Sequence, residues 1–169
     1  MDNFVTIRNR HTGEILRLSR VRDGQGQIVL NLDGSLPPRA SGPPLHVHLH
    51  QREEGQVKAG TLGAQVGKEK IVVPTGGTAV FAAGSRHKWW NAGDDLLEFS
   101  GNAIPAVDLD RFLQGVFAVL NASPNGSLLP YVRTTCVIPL LPSLDISGRN
   151  VSVSESFWSS YVGKTSLEE

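Results

Sequence analysis

The stretch His46-Val-His48-Leu-His-Gln-Arg-Glu53 decides how this sequence is interpreted. Alternate side chains of a β-strand point to the same side, so His46 and His48 would project together. Glu53 follows after a gap that lets the chain bend and return a carboxylate to the same place. His87 lies much later, behind a glycine that suits a tight turn. Three imidazoles and one carboxylate are a ligand set that holds a divalent transition metal, so the pattern predicts a metal site.

Short apolar stretches separated by glycine and proline surround these residues. The chain has 169 residues, with 18 glycines and 10 prolines placed between the stretches. Such spacing is typical of an all-β sandwich or barrel. Residues 1–103 are therefore predicted to form an antiparallel β-barrel or two-sheet jelly roll. The predicted strands are residues 4–7, 15–18, 28–32, 46–50, 55–58, 62–66, 70–73, 78–82, 87–90 and 96–100.

The pattern changes after Pro105, and residues 104–169 are predicted to be a helical and irregular C-terminal extension. Apolar residues recur at three- and four-residue steps over 108–121, which indicates a helix capped by Asp108. A second apolar segment, 128–141, is interrupted by prolines and is expected to be a short helix with irregular chain. A Ser-rich end carries the aromatic residues Phe157, Trp158 and Tyr161. The extension is too short for a core of its own, so it should pack on the barrel or on a partner subunit.

Two motifs in this chain resemble those of the cupin superfamily, and specifically its small single-domain, quercetinase-like members. The first is His46-Val-His48, four residues, Glu53, six residues and Gly60, with Gly42 two residues closer than the family's leading glycine. The second is Gly84, two residues, His87, three residues and Asn91, with Ala82 where the family has proline. The resemblance implies a double-stranded β-helix (a jelly-roll barrel) and assigns His46, His48, Glu53 and His87 as metal ligands.

Several neighbours of these residues leave alternatives open. Glu54 adjoins Glu53, but the spacing to Gly60 favours Glu53, because adjacent residues point to opposite faces. If its strand runs straight, His50 shares the face of the other histidines. It is then a candidate for a spare ligand or a base, and the alternative is a polar residue at the rim. Trp89 is a candidate for the pocket wall, and Trp90 for a sheet interface or subunit contact. A plain core role is an equal alternative for both.

The ligand set suits Fe, Mn, Ni, Zn or Cu, and it leaves positions on the ion for a small molecule. The first functional hypothesis is a metal-dependent enzyme of the dioxygenase type. The second is a sugar or keto-acid isomerase or epimerase, which would need a base such as His50 or Lys58 beside the metal. The third is a non-catalytic ligand-binding or sensing cupin. Gly55 predicts a wide, weakly aromatic pocket, and the sequence identifies no catalytic residue.

The composition of the chain favours a small molecule as its binding partner over nucleic acid or a membrane. Lysine plus arginine equals aspartate plus glutamate, 16 against 16, so no net field attracts nucleic acid or an anionic membrane. No secretory signal or membrane-spanning run is visible, and Cys136 has no second cysteine to pair with. These observations predict a cytoplasmic protein without nucleic-acid or membrane partners. A homodimer formed through the predicted helix is the alternative to a helix that covers the barrel.

Overall fold

The computed structural model describes residues 4–126, which form ten strands and one helix. The strands in chain order are β1 (Phe4–Arg8), β2 (Ile15–Arg22), β3 (Ile28–Leu36), β4 (His46–Val47), β5 (Arg52–Ala59), β6 (Thr61–Val66), β7 (Glu69–Pro74), β8 (Thr78–Phe81), β9 (Arg86–Asn91) and β10 (Leu97–Ile104). The helix α1 (Leu109–Ala122) follows β10.

The strands form two antiparallel sheets. The large sheet has six strands in the order β1-β2-β3-β10-β5-β8, and the small sheet has four in the order β4-β9-β6-β7. Consecutive strands β5 and β6 lie in different sheets, and the chain turns between them at Gly60, where φ is +77°. A Cβ at Gly60 would also lie 2.5 Å from the carbonyl oxygen of Leu96. Only glycine therefore fits this turn without strain.

The two sheets face each other across one apolar core. Alternation along each strand places one set of side chains inward, as in β8, where Ala79 and Phe81 are buried and their neighbours are exposed. The members of this core come from both sheets: Leu36, Val57, Ala79, Phe81 and Leu97 from the large sheet, and Leu62, Ala64 and Val73 from the small one.

A second core lies between the helix and the large sheet. Its buried members are Leu16, Leu18, Leu30 and Ala103 from the sheet, with Ala106, Leu109 and Phe117 from the helical end. Phe99 packs against both cores. Leu30 and Leu36 are an even number of residues apart on β3, so they share a face. The helix and the small sheet thus cover neighbouring parts of the same face of the large sheet.

Side chains at both ends fasten the helix to β1 and β2. At its start, Asp108 occupies the N-cap position without a side-chain cap bond; its carboxylate lies 3.8 Å from the Arg20 guanidinium. Arg20 also donates from Nε to Asp110 at 2.9 Å. At the other end, the Asn121 amide donates to the Arg8 carbonyl at 2.8 Å. Within residues 4–126, no helix has the length and hydropathy that a membrane crossing requires.

The predicted all-β jelly-roll class is confirmed, and the helix predicted over 108–121 begins and ends one residue later. The strand predicted over 46–50 is wrong beyond Val47, because the chain bends from His48 onward instead of continuing beside β9. The division into residues 1–103 and 104–169 remains a prediction. The second apolar segment, 128–141, and the aromatic end with Phe157, Trp158 and Tyr161 lie outside the described residues.

Candidate metal centre

Four side chains from both sheets meet between β4, β5 and β9. His46 on β4 is directly opposite His87 on β9 in the antiparallel register, so both imidazoles project from the same face. His48 follows immediately after β4, and Glu53 projects from β5 in the large sheet. We call His46, His48, Glu53 and His87 the His/Glu cluster. Each offers one ligand atom, and these atoms all lie within 4.8 Å of one another.

The distances within the His/Glu cluster are those of ligands around one ion. The Nε2 atoms of His46 and His48 are 3.0 Å apart. The Glu53 carboxylate lies 3.2 Å from His87 Nε2 and 3.4 Å from His48 Nε2. Two ligands about 2.1 Å from a metal and at right angles to each other would be roughly 3 Å apart. The observed spacing therefore fits a divalent transition ion held by three nitrogens and one oxygen.

Backbone carbonyls fix the orientation of two of the imidazoles. His46 Nδ1 lies 2.8 Å from the Pro44 oxygen, and His87 Nδ1 lies 3.0 Å from the Ser85 oxygen. A proton on each Nδ1 satisfies these carbonyls and leaves a lone pair on Nε2, facing the centre of the cluster. His48 Nδ1 is buried and has no hydrogen-bond partner. The proton assignment that satisfies the carbonyls is thus the one that a metal ligand requires.

The electrostatic state of the cluster also suits a cation. Burial, together with the neighbouring His87 and His48, lowers the pKa of His46 to about 4. Burial likewise lowers the pKa of His48, against the opposing effect of Glu53. Burial raises the pKa of the Glu53 carboxyl, but the imidazoles of His87, whose Nε2 lies 3.2 Å from it, and of His48 favour the carboxylate, so the net shift is downward. Near neutral pH His46 is therefore uncharged and Glu53 ionised, and each can donate an electron pair.

An aromatic ring and an open space both lie next to the cluster. The Phe81 ring stacks on His87 with 4.4 Å between centroids and 10° between planes, which fixes the plane of that imidazole. Gly55 follows two residues after Glu53 and faces the same way, opposite Gly101 on β10. No atom lies within 4 Å of the place where a Cβ at Gly55 would be. The region beside Glu53 is therefore open and has no aromatic side chain at this position.

The structure separates the alternatives that the sequence left open. Glu54 faces away from the cluster and pairs with Arg52 at 2.6 Å. His50 is exposed in the bend after β4, so it does not share a strand face with His46. Lys58 also faces outward and donates to Gln56 at 2.5 Å. Neither proposed base, His50 or Lys58, thus points towards the His/Glu cluster.

Trp89 and Trp90 are adjacent on β9, so their side chains point to opposite faces of the small sheet. Trp89 faces inward and meets Phe99 edge to face, with 5.0 Å between ring centroids, so it belongs to the core between the sheets. Trp90 faces outward, where its indole lies over Gly63 on β6. A pocket-wall role for Trp89 is not what the structure shows, and Trp90 lies against Gly63 of its own sheet.

Asn91 holds the chain that follows the cluster. Its buried amide nitrogen lies 2.8–3.0 Å from the carbonyl oxygens of Leu36, Pro37 and Asp95, and its oxygen accepts from the Gly93 N–H. Asn91 ends the second sequence motif, but the sequence gave no sign of this structural role. It also gave no sign of the Pro44 and Ser85 carbonyls, because a carbonyl group leaves no mark in a residue pattern.

Comparison with protein families identifies the domain that carries this centre. Residues 32–100, which include the whole His/Glu cluster, match the family described as "Cupin domain". The chain carries a cupin domain over these residues, which supports its place in the cupin superfamily. The cupin resemblance seen in its two motifs is thereby confirmed, while the quercetinase-like subgroup remains a prediction.

Two curated relatives of this cupin have names that describe oxidoreductases. "Oxidoreductase iacF" of Pestalotiopsis fici is 36% identical over 77 residues, which cover 43% of this chain and 37% of the relative. "Probable oxidoreductase virH" of Hypocrea virens is 42% identical over 52 residues, which cover 30% of this chain and 24% of the relative. The chain thus matches well under half the length of these relatives.

Solved structures are similar in fold. AerE from Microcystis aeruginosa superposes with a TM-score of 0.53 at 14% identity, covering 60% of this chain and 46% of that protein. KdgF from Halomonas sp. gives a TM-score of 0.49 at 17% identity, covering 58% of this chain and 84% of that protein. At such identities the AerE similarity shows a shared fold and carries no information about the reaction.

Proposed function

We propose that this cupin is a metal-dependent oxidoreductase of the dioxygenase type that acts on a small molecule. The observation that supports the proposal best is the His/Glu cluster, in which three imidazole nitrogens and one carboxylate converge on a single point. The names of both curated relatives, "Oxidoreductase iacF" and "Probable oxidoreductase virH", support the class of reaction. Fe, Mn, Ni, Zn and Cu all fit the donor atoms.

Some residues of the site would bind or orient the ligands of the ion, and others leave room for the substrate. A six-coordinate redox metal with four protein ligands would have free positions at which a small molecule and dioxygen meet. Glu53 supplies the negative charge that partly neutralises the ion, and the Pro44 and Ser85 carbonyls keep two imidazoles in the ligating orientation. The open space at Gly55 lies beside Glu53, where a substrate can approach. Phe81 limits the motion of His87 by stacking.

The first experiment is elemental analysis of the purified protein and of three histidine variants. We expect His46→Ala and His87→Ala to lose the bound transition metal. His50→Ala is the matched control, because His50 is exposed, lies in the same segment and does not face the cluster. It should keep the metal content of the parent protein. Equal metal content in all four proteins would rule out the proposed site.

The second experiment tests the reaction. Anaerobic reconstitution with Fe(II) is followed by oxygen-uptake measurements over a panel of enolisable small molecules. Uptake that requires both metal and substrate supports the proposed class. A metal-loaded protein that binds a panel member tightly without consuming oxygen would instead be a ligand-binding cupin. Isomerisation of a sugar or keto acid without oxygen uptake would identify the isomerase alternative, although neither His50 nor Lys58 faces the cluster.

A size variant tests where the substrate enters. Gly55→Leu should fill the open space beside Glu53, because no atom lies within 4 Å of the place where its Cβ would be. We expect this variant to retain the parent metal content and to lose oxygen uptake with bulky substrates first. Unchanged uptake with every substrate would place the entrance elsewhere, while loss of the metal would show that the substitution disturbs the cluster itself.

A further inference from the structure

The outer face of the small sheet has a composition unlike the rest of the molecule. His87 and Asn91 on β9 are buried, so the alternate residues Arg86, Lys88 and Trp90 face outward. Val73 on β7 is buried, so Lys70 and Val72 face outward. We call Lys70, Val72, Arg86, Lys88 and Trp90 the basic face. It lies on the opposite side of the small sheet from the His/Glu cluster.

The cross-strand register brings these residues into two neighbouring rows. Trp90, Gly63 and Val72 are aligned across β9, β6 and β7. Lys88, Gln65 and Lys70 form the next row. Paired side chains on neighbouring strands lie about 5 Å apart, so the row with the two lysines runs along one side of the apolar row.

Charge on this face is of one sign. The outward residues of β6, β7 and β9 are Thr61, Gly63, Gln65, Lys70, Val72, Pro74, Arg86, Lys88 and Trp90, and none is acidic. Among the described residues, no carboxylate lies within ion-pair distance of Arg86, Lys88 or Lys70. The whole chain has no net charge, with 16 basic and 16 acidic side chains. The basic face is thus a local excess of positive charge on an otherwise balanced molecule.

The centre of the basic face is apolar and flat. The Trp90 indole lies across β6, with three of its ring atoms 2.3–2.6 Å from the place where a Cβ at Gly63 would be. Only glycine permits this position of the ring. Val72, aligned with Gly63, is 67% exposed, the highest value among the large exposed apolar side chains described. A tryptophan and an aliphatic side chain with cations along one side combine the apolar centre and polar rim found in protein–protein interfaces.

We propose that the basic face docks an acidic segment of a partner protein, with Trp90 and Val72 contacting an apolar residue of that segment. Complementary charge determines the kind of partner, because three uncompensated cations attract a negatively charged surface. The same charge disfavours a symmetric contact with a second copy, which would bring two basic faces together. A single indole provides one stacking position, whereas a strand of nucleic acid is typically held by several.

The experiment uses the metal-loaded protein and three synthetic peptides. One alternates glutamate with valine, one glutamine with valine, and one lysine with valine. Binding is followed by nuclear magnetic resonance, from the indole N–H of Trp90 (assigned with Trp90→Phe) and the backbone N–H of Gly63. We expect the Glu-Val peptide alone to shift both signals. Its affinity should fall severalfold between low and physiological salt, because exposed charges are screened over about 8 Å at 0.15 M.

Charge reversal provides the matched comparison. The double variant Lys70→Glu, Lys88→Glu should lose at least about tenfold in affinity for the Glu-Val peptide. Lys58→Glu reverses an outward lysine on the large sheet and should bind as the parent does. Circular dichroism and the melting temperature establish that each variant is folded.

Several results would overturn the proposal. Equal binding of the Gln-Val and Glu-Val peptides would show that charge does not select the partner. A loss in Lys58→Glu as large as in the double variant would place binding on another surface. Tighter binding of oligothymidylate than of the Glu-Val peptide, with the same shifts at Trp90, would make the face a nucleic-acid site instead.

Discussion

The protons on the imidazoles of the His/Glu cluster determine how the centre responds to pH. In His46 and His87 the Nδ1 atoms lie beside carbonyl oxygens, so each ring can remain neutral and direct a lone pair at the ion. Burial favours the neutral form of His46 and lowers its pKa to about 4. The folded chain therefore prepares His46 in the protonation state that a metal needs.

Metal retention should consequently extend to lower pH than an exposed histidine site would allow. Protons compete with the metal for His46 only near its lowered pKa, whereas an ordinary histidine takes up a proton near about 6.5. We expect the protein to keep its metal when dialysed at about pH 6 and to release most of it as the pH approaches the pKa of His46. Elemental analysis after dialysis over a pH series measures this. Half-release close to about pH 6.5 would contradict the expected competition.

Glu14 offers a second test at the level of one residue. It precedes β2, is only 4% exposed, and burial raises the pKa of its carboxyl from 4.5 to about 7. The folded protein therefore binds a proton here that the unfolded chain releases between these values. This stabilises the folded state at low pH, and the contribution is lost as the pH rises towards about 7.

Replacing Glu14 with glutamine should remove that dependence. Relative to the parent, the free energy of unfolding of Glu14→Gln should increase by up to about 3 kcal/mol between pH 5 and pH 8, from roughly 1.4 kcal/mol per unit of pKa shift. Urea titrations of both proteins at several pH values give the difference between their free energies of unfolding. The histidines contribute equally to both proteins, so their contributions cancel in this difference. Glu98→Gln removes an exposed carboxylate and controls for the loss of one charge. A constant difference across this range would contradict the prediction.

Some of these residues were predictable from the sequence and others were not. The residues of the His/Glu cluster are close together in two local patterns, so spacing alone was enough to nominate them. Glu14 looks like an ordinary solvent-facing residue next to a Thr-Gly turn, and nothing in its neighbourhood predicts burial. The sequence left the face of His50 open, because the bend after Val47 depends on how far β9 pairs with β4, which is a long-range property.

At the level of elements, the helix α1 covers part of the large sheet. Its buried Leu109 and Phe117 pack against Leu16, Leu18 and Leu30, whereas the core next to the His/Glu cluster lies between the two sheets. The periodicity of the apolar residues was sufficient to predict this helix. The packing of the Trp90 ring over Gly63 was not predictable, because it depends on the register between β6 and β9.

Truncating Phe117, a buried aromatic side chain of α1, should destabilise the fold and leave the His/Glu cluster intact. Phe117 is 5% exposed, and truncation of a buried phenylalanine typically costs about 3–5 kcal/mol. We expect Phe117→Ala to lower the free energy of unfolding by an amount in that range, measured by denaturant titration. Its metal content at low temperature should match that of the parent. Arg111→Ala, an exposed position on the same helix, is the control and should change stability by about 0.5 kcal/mol or less. Loss of metal from a folded Phe117→Ala protein would show that the helix supports the centre.

For the whole molecule, the His/Glu cluster is a connection between the two sheets. His46 and His87 belong to the small sheet, while Glu53 belongs to the large one. A bound ion would therefore join the sheets beside their shared core, and the separated ligands of an unfolded chain cannot reproduce that arrangement. Metal binding and global stability should be coupled, because a ligand that binds only the folded state stabilises it by mass action.

This coupling predicts a large, metal-dependent change in melting temperature. At a free metal concentration about a thousand times the dissociation constant, the stabilisation is about 4 kcal/mol. For a chain of this size that corresponds to a rise of roughly 8–16 °C, measured by calorimetry with and without the ion. Glu53→Gln keeps the size of the side chain but removes the charge that links the large sheet to the ion, so most of the rise should disappear. His50→Ala retains the whole cluster and should show the parent's rise, since His50 is exposed beyond the end of β4. An equal rise in Glu53→Gln would mean that the ion binds without joining the sheets.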